Sequence, residues 1–221
     1  ITNMLIKAAS KSTASYDSAG LSQEMQAVQE SEATARDIPD EAVLSAVSDT
    51  VTDEWLRLRL TEVLGADENG ELNLANAGSI TTLDLSEGYI QKLDGLQYFT
   101  NLKELNIADN EVQDLSPIAN LTKLEKLNVS GQFISSLYPI SNLKNLTVLD
   151  VSENELTTLS SVVNLTALKE LNASDNRLTT LNSISGLTGL EKASLSDNPL
   201  SEGNLNTLKN LNRLSVLEAN K

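Results

Sequence analysis

Apolar residues recur along most of the chain in columns that lie 22 residues apart. Within each row, apolar and polar positions alternate, which is typical of a strand with one buried face. The wider apolar spacing that follows favours a short helical or 3-10 return on the opposite side. The clearest columns are Leu102, Leu124, Leu146, Leu168, Leu190; Leu105, Leu127, Leu149, Leu171, Ala193; and Val112, Ile134, Leu156, Leu178, Leu200.

An earlier row through Leu83 and a last partial row through Leu214 and Leu217 extend this pattern, so that seven strands are predicted in all. One turn cannot bury its own apolar row, and neighbouring turns must therefore stack. The distribution of leucine supports this organisation, because 32 of the 39 leucines of the chain lie in residues 72–221. We predict an α/β fold: a right-handed solenoid with a concave parallel sheet of about seven strands, short 3-10 or irregular convex segments and an N-terminal helical cap.

An asparagine follows the strand in four rows, at Asn110, Asn154, Asn176 and Asn198. An inward-pointing amide can both donate to and accept from the backbone of adjacent turns where the chain bends away. We therefore interpret this column as a structural ladder. Two rows depart from it, with Gly88 and Gln132 in the same position, and we expect looser or rearranged loops at both.

The N-terminal part of the chain lacks the repeat. Residues 1–37 are polar and rich in Ala, Ser, Gln and Glu, which predicts a helical or disordered extension. Residues 38–78 predict a helical cap of two helices. The first begins after Pro39, and the second runs from Thr52 or Asp53 to Gly65. The second helix has an apolar stripe that includes Trp55. Residues 79–221 form the predicted repeat domain. The segment 67–71 alternates oxygen ligands but lacks the later ligands of a calcium loop, which favours a turn.

Two segments resemble a known family. Residues 114–122 read DLSPIANLT and residues 95–102 read GLQYFTNL, and both are similar to repeats of the 22-residue leucine-rich-repeat class, more closely to internalin-like bacterial surface proteins. The resemblance covers about residues 38–221. It implies that the cap closes the apolar end of the first repeat, with Trp55 and its Leu neighbours as the lid. It also implies export and binding of a partner protein.

Composition excludes several classes of function. The chain has no Cys and no His, which excludes thiol nucleophiles, Ser-His triads, disulfides and thiolate zinc sites, and we expect no enzyme, cofactor or metal site. A net charge of −15 disfavours nucleic acid and anionic lipid surfaces. No apolar run is long enough for membrane insertion. We expect a monomer or a weak oligomer.

The positions that alternate with the buried rows define the predicted concave face, which is small, polar and acidic. Its four outward columns together carry ten carboxylates and two lysines. This face could attract a basic protein segment or divalent cations. The alternative is a solvated face without a ligand, because no Tyr, Trp or Arg anchor lies in these columns. The candidate binding residues are Asp84, Glu87, Asp109, Asp150, Glu153, Asp175 and Asp197.

Aromatic residues occur just beyond the asparagine column, at Tyr89 and Phe133, with Tyr138 on the same turn as Phe133. Two turns separate Tyr89 from Phe133, roughly 10 Å at sheet spacing. They could form a small anchor patch on the rim of the face. Alternatively, Tyr89 and Phe133 fold over irregular turns and fill the space of the missing asparagines.

Together these patterns predict a non-enzymatic protein-binding or adhesion module of a secreted or cell-surface bacterial protein, with a host surface protein or a basic segment as partner. Two alternatives stay open: an intracellular leucine-rich-repeat scaffold or regulatory subunit, and a structural spacer without a ligand. The sequence stops directly after the last predicted strand. We expect either a continuation of the chain or another molecule to cover that apolar end.

Overall fold

A computed structural model describes residues 50–68 and 70–219, apart from the side chain of residue 202. The chain divides between Ala75 and Asn76 into two compact units. The predicted extension and the first predicted cap helix lie outside the described residues. The division into extension, cap and repeat domain stays a prediction.

The first unit contains helix α1, Glu54–Leu64, and confirms the second predicted helix. The helix begins after Asp53, whose Oδ1 accepts a hydrogen bond from the Leu56 N–H at 2.9 Å. It ends at Gly65, whose φ of +87° suits glycine.

Within α1, Leu56 and Leu60 are fully buried, because residues four positions apart share one face of a helix. Trp55 is 49% exposed, since its position is turned by about 100° from that of Leu56. The sequence analysis included Trp55 in the apolar stripe, and the structure places it beside the buried face of the helix, half-exposed.

The segment 67–71 is closed by its own backbone and by one carboxylate. The Asp67 N–H donates to the Glu71 carbonyl at 2.8 Å, and Asp67 Oδ1 accepts from the Glu71 N–H at 2.9 Å. Gly70 has a φ of +79°. The segment is a turn, as the sequence predicted.

The second unit contains the seven predicted strands, which form one parallel sheet in sequential order. Each has three residues, and each pairs with the next at a spacing of 22 residues, except that Lys192 pairs with Val216 across 24. Helix α2, Glu202–Leu205, lies within that longer turn. The strands are β1 Thr82–Asp84, β2 Glu104–Asn106, β3 Lys126–Asn128, β4 Val148–Asp150, β5 Glu170–Asn172, β6 Lys192–Ser194 and β7 Val216–Glu218.

The returns between strands are 3-10 helices, as predicted. A Pro at the second position of two of them fixes φ at a value that the helix requires. The described 3-10 helices are Ala77–Ser79, Leu96–Tyr98, Ser116–Ile118, Tyr138–Ile140, Ser160–Val162, Asn182–Ile184 and Asn206–Asn210. The result is an open, right-handed leucine-rich-repeat solenoid.

The central residue of each strand fills the core. From Leu83 in β1 to Ala193 in β6, these residues are at most 2% exposed, because each is covered by the next turn. In β7 the equivalent Leu217 is 43% exposed. Leu200 and Leu214, predicted as core positions, are only half-buried. The last described strand has no strand beyond it among the described residues, and the burial of the core decreases there.

Candidate functional site: the acidic face and its rim

The asparagine ladder fixes the turn that follows each strand. In Asn154, Oδ1 accepts from the Ile134 N–H at 2.9 Å, and Nδ2 donates to the carbonyls of Val129 and Ser152, both at 2.9 Å. Asn110, Asn176 and Asn198 make the same kinds of bonds, and all four side chains are buried. The amide links each turn to the one before it, which gives the adjacent outward residues fixed positions.

The two departures from the ladder behave differently. Gln132 is 4% exposed; its Oε1 accepts from the Val112 N–H at 2.8 Å, and its Nε2 donates to the Ile107 carbonyl. The longer side chain thus makes the ladder bonds, and the expectation of a rearranged loop at Gln132 was wrong. At Gly88 the expectation holds, since Tyr89 adopts a φ of +55° that no other row shows at this position.

Five candidate carboxylates lie just before the ladder in five of six consecutive turns, and we call them the acidic column. Their φ angles lie between +52° and +54°, a left-handed conformation that few non-glycine residues adopt. Gly131, with a φ of +64°, occupies the third of the six equivalent positions and interrupts the column. All five side chains are exposed to solvent. The members of the acidic column are Glu87, Asp109, Glu153, Asp175 and Asp197.

Two other candidates, Asp84 and Asp150, are engaged by their own turns. Asp150 Oδ1 accepts from the Ser152 N–H at 3.0 Å and from the Ser152 hydroxyl at 2.6 Å, and its Oδ2 accepts from Asn172 Nδ2 at 3.0 Å. Asp84 Oδ1 accepts from the Ser86 N–H and hydroxyl in the same way, and the same oxygen accepts from Asn106 Nδ2 at 3.1 Å. The bonds from the serine N–H groups are Asx-turn contacts, and the side-chain bonds hold the same carboxylates at the strand ends. Both residues still contribute negative charge to the face.

The two lysines of the face are paired with glutamates of the same outward column. Lys126 Nζ lies 2.8 Å from Glu104 Oε1, and Lys192 Nζ lies 3.0 Å from Glu170 Oε1. The hydrogen bond to Glu104, and then the charge of that carboxylate, raise the pKa of Lys126 above its ordinary value. Both lysines are offset by these glutamates, which leaves the carboxylates of the acidic column in excess. The face therefore has a negative potential.

The three candidate aromatic residues are all exposed: Tyr89 by 68%, Phe133 by 56% and Tyr138 by 77%. Gln132 itself fills the place of the missing asparagine in its turn, and at Gly88 the Asn110 Oδ1 and Ile90 Cδ1 atoms both lie 3.1 Å from the point where a Cβ would stand. Neither aromatic ring is therefore needed to fill a gap in the ladder. The side chains of Tyr89 and Phe133 stand at the rim of the acidic face.

Tyr89 and Phe133 belong to one column of residues that directly follow the ladder, which we call the rim column. The sequence placed Glu111 between these two aromatics, but Glu155 and Arg177 were not singled out from it. The Glu111 Oε2 atom accepts from Gln91 Nε2 at 2.8 Å, and the Arg177 Nη2 atom lies 2.8 Å from Glu155 Oε1. Aligning the rows in the sequence could have identified them. The rim column is Tyr89, Glu111, Phe133, Glu155, Arg177 and Pro199.

The described residues offer two further chemical findings. Within residues 50–68 and 70–219, no group of three or more acidic residues is placed so that it could hold a metal ion. In the same part of the chain, no helix is long and apolar enough to cross a membrane.

Comparison with known proteins agrees with the repeat architecture. A family model of two leucine-rich repeats matches residues 100–144. Curated protein sequences give no match.

Solved structures extend the likeness over most of the chain. An internalin (inlF) from Listeria monocytogenes is 25% identical with a TM-score of 0.64, over 79% of this chain and 58% of that one. Internalin C2 from the same organism is 24% identical with a TM-score of 0.62, over 79% of this chain and 87% of that one. A leucine-rich-repeat protein from Leptospira interrogans is 26% identical with a TM-score of 0.60, over 65% of this chain and 39% of that one. The chain thus spans less than two thirds of the first and third of these proteins. From its repeats, its sheet and these likenesses, the chain is an internalin-like leucine-rich-repeat protein.

Proposed function

We propose that this chain is a non-enzymatic protein-binding module that holds a partner through the acidic face and its rim. The observation that carries the proposal is the acidic column: five exposed carboxylates that the backbone presents at the same place in five of six consecutive turns. Such a series steers a positively charged partner toward one surface. Stacked repeats commonly use an extended surface of this kind for binding proteins.

The exposed rim aromatics support binding at this surface. Aromatic side chains provide much of the binding energy in protein interfaces, whereas exposed charges mainly accelerate association and select the partner. Tyr89 and Phe133 lie two turns apart in the rim column, next to the acidic column. A partner could therefore contact both surfaces at once.

The likeness to internalins supports placing the module outside the bacterial cell, as part of a secreted or surface protein with an adhesive role. A host surface protein with a basic segment is then the partner we expect. An intracellular scaffold and a spacer without a ligand are the competing functions, and the experiment below separates the spacer from a binding module.

The test is capture of partners from solubilised host-cell surface proteins. The baits are the native chain, a Tyr89→Ala/Phe133→Ala variant and a Glu153→Lys/Asp175→Lys variant, each checked for folding by circular dichroism. The charge control is Glu62→Lys/Glu68→Lys, which changes the net charge equally on exposed residues of the first unit. The apolar control is Val163→Ala, at a residue 48% exposed.

We expect a partner that the native chain and both controls retain and that at least one face variant loses. Equal capture by every bait would place the binding surface elsewhere. No specific partner with any bait would favour the spacer over the binding module.

A further inference from the structure

The two carboxylates that flank Phe133 in the rim column are held on the sides away from it. Glu111 accepts its hydrogen bond from Gln91, one turn further toward the N-terminus. Glu155 pairs with Arg177, one turn further toward the C-terminus. The Phe133 side chain, 56% exposed, therefore stands between two anchored carboxylates that do not cover it.

The acidic column adds two more carboxylates around the same ring. Gly131 has no side chain, and Asp109 Oδ1 extends into the space beside it, so that a Cβ built on Gly131 would lie 2.3 Å from this oxygen. Glu153 occupies the equivalent position one turn after Gly131. The segments 109–114, 131–136 and 153–158 contain five carboxylates and no Lys or Arg. The exposed ring thus belongs to three consecutive turns whose charged side chains in these segments are all negative.

This combination selects a cation. The face of an aromatic ring attracts a guanidinium or ammonium group, and an adjacent carboxylate can accept charge-assisted hydrogen bonds from the same group. Arginine fits best, because its planar guanidinium stacks on a ring, donates along its edge and is weakly hydrated. Anionic partner groups would be repelled by the flanking carboxylates.

We infer that Phe133, between Glu111 and Glu155, is the docking point for an arginine side chain of the partner's basic segment. The inference rests on the proposed function and names the chemistry of its partner. Phe133 supplies the ring face, while Glu111 and Glu155 supply acceptors at its two sides. Asp109 and Glu153 supply attraction from the adjoining acidic column.

Substitution of Arg177 tests the arginine site by a gain of binding rather than by a loss. Its guanidinium already occupies Glu155, with Nη2 and Oε1 2.8 Å apart. Removing that charge frees the Glu155 carboxylate for the partner. Arg177→Gln should therefore strengthen binding, which damage to the fold would not do. Arg213→Gln is the matched control, because it removes the same charge from an exposed residue of the last described turn.

The probe is a dye-labelled twelve-residue Gly/Ser peptide with three arginines, compared with the same peptide carrying three citrullines, which keep the shape without the charge. Binding to the full chain is measured by fluorescence anisotropy at low salt. The variants are Phe133→Leu, which keeps apolar surface without a ring, and Glu111→Gln/Glu155→Gln. Val163→Ala and Glu62→Gln/Glu68→Gln are the controls for apolar surface and for charge.

We expect the arginine peptide to bind and the citrulline peptide not to bind. Phe133→Leu should weaken binding roughly two- to fivefold, the range of an exposed cation–π contact. Glu111→Gln/Glu155→Gln should weaken binding more than Glu62→Gln/Glu68→Gln, and Arg177→Gln should strengthen it more than Arg213→Gln. Equal affinity of the native chain and Phe133→Leu, or equal effects of Arg177→Gln and Arg213→Gln, would overturn the inference.

These outcomes are separable from those of the proposed function. Suppose that Glu153→Lys/Asp175→Lys loses a captured partner, while Phe133→Leu binds the arginine peptide as tightly as the native chain does. The binding module then stands, and only the arginine site is overturned. Failure of every bait to capture a partner overturns the proposed function, and with it the biological role of the arginine site.

Discussion

Asp109 Oδ1 occupies the space that a side chain at position 131 would enter, 2.3 Å from the point where a Cβ on Gly131 would lie. The two residues are equivalent positions of consecutive turns, and both adopt left-handed backbone conformations. Gly131 is the one member of this series without a carboxylate. The gap in the acidic column is therefore filled by the preceding member's side chain.

Gly131→Ala should destabilise the chain by about 1–2 kcal/mol, because a left-handed conformation is strained for an L-residue and the new methyl group displaces the Asp109 carboxylate. Chemical denaturation measures the change. Gly186→Ala is the control: no atom lies within 4 Å of its Cβ position, and no positive φ constrains it. In an Asp109→Ala background the steric part of the penalty should disappear. Equal stability of Gly131→Ala and Gly186→Ala would contradict the assignment.

Asn154→Ala should lower the free energy of unfolding by about 2–4 kcal/mol, since it leaves several buried backbone groups without their partner. Among these groups are the Ile134 N–H and the Val129 carbonyl. Asn145→Ala is the matched control, because Asn145 is exposed and makes one hydrogen bond, to the Thr122 carbonyl at 2.8 Å. The control should cost less than about 1 kcal/mol. Comparable losses in the two variants would argue against the ladder.

The repeat could be predicted from the sequence because one physical requirement recurs in every turn. A Leu in the middle of a strand must be covered by the next turn, so the column of Leu105, Leu127 and Leu149 fixes both the strands and their register. The ladder followed from the ability of an amide to donate and accept at once. Residues at which a turn differs from its neighbours were harder to predict. Gln132 reaches the ladder partners through one additional methylene group, which depends on local backbone position rather than on the pattern.

The sequence predicted which carboxylates face outward in the candidate site, but not which of them are held by hydrogen bonds or ion pairs. The alternation identified Asp84, Asp150 and the acidic column as outward carboxylates without distinguishing them. Their difference lies in the serine two residues after Asp84 and Asp150, which donates to the carboxylate. Asp-x-Ser was visible in the sequence, and it indicates an Asx turn. The pairing of Glu155 with Arg177 depends on side-chain geometry between turns, and the apolar pattern carries no information about it.

Glu153→Asn should stabilise the chain by roughly 0.5–1 kcal/mol, because Asn tolerates the left-handed conformation better than Glu does. Its φ is +54°. The substitution also removes one of several like charges, an effect that salt screens. Glu153→Gln separates the two causes, since it removes the charge and keeps the strained backbone. Thermal denaturation at low and high salt should show a gain for Glu153→Asn that persists in salt, and a smaller gain for Glu153→Gln that declines. Identical behaviour of the two variants would show that backbone strain at this position is negligible.

Glu104→Gln should lower the pKa of Lys126 toward its ordinary value, since the hydrogen bond to Glu104 and then its charge are the main causes of the raised pKa. A lysine whose pKa is higher in the folded than in the unfolded chain adds stability below its unfolded pKa. This contribution is lost as the pH rises through the folded-state pKa. Glu104→Gln should therefore reduce the loss of stability at alkaline pH.

Titration of the Lys126 side chain by NMR measures this pKa directly. Glu125→Gln is the matched control, because the Glu125 charge is the smallest of the causes that raise the pKa. Its effect should have the same sign and be smaller. A fall in the Lys126 pKa as large in Glu125→Gln as in Glu104→Gln would mean that the general negative field of the face, rather than the 2.8 Å contact with Glu104, holds the proton.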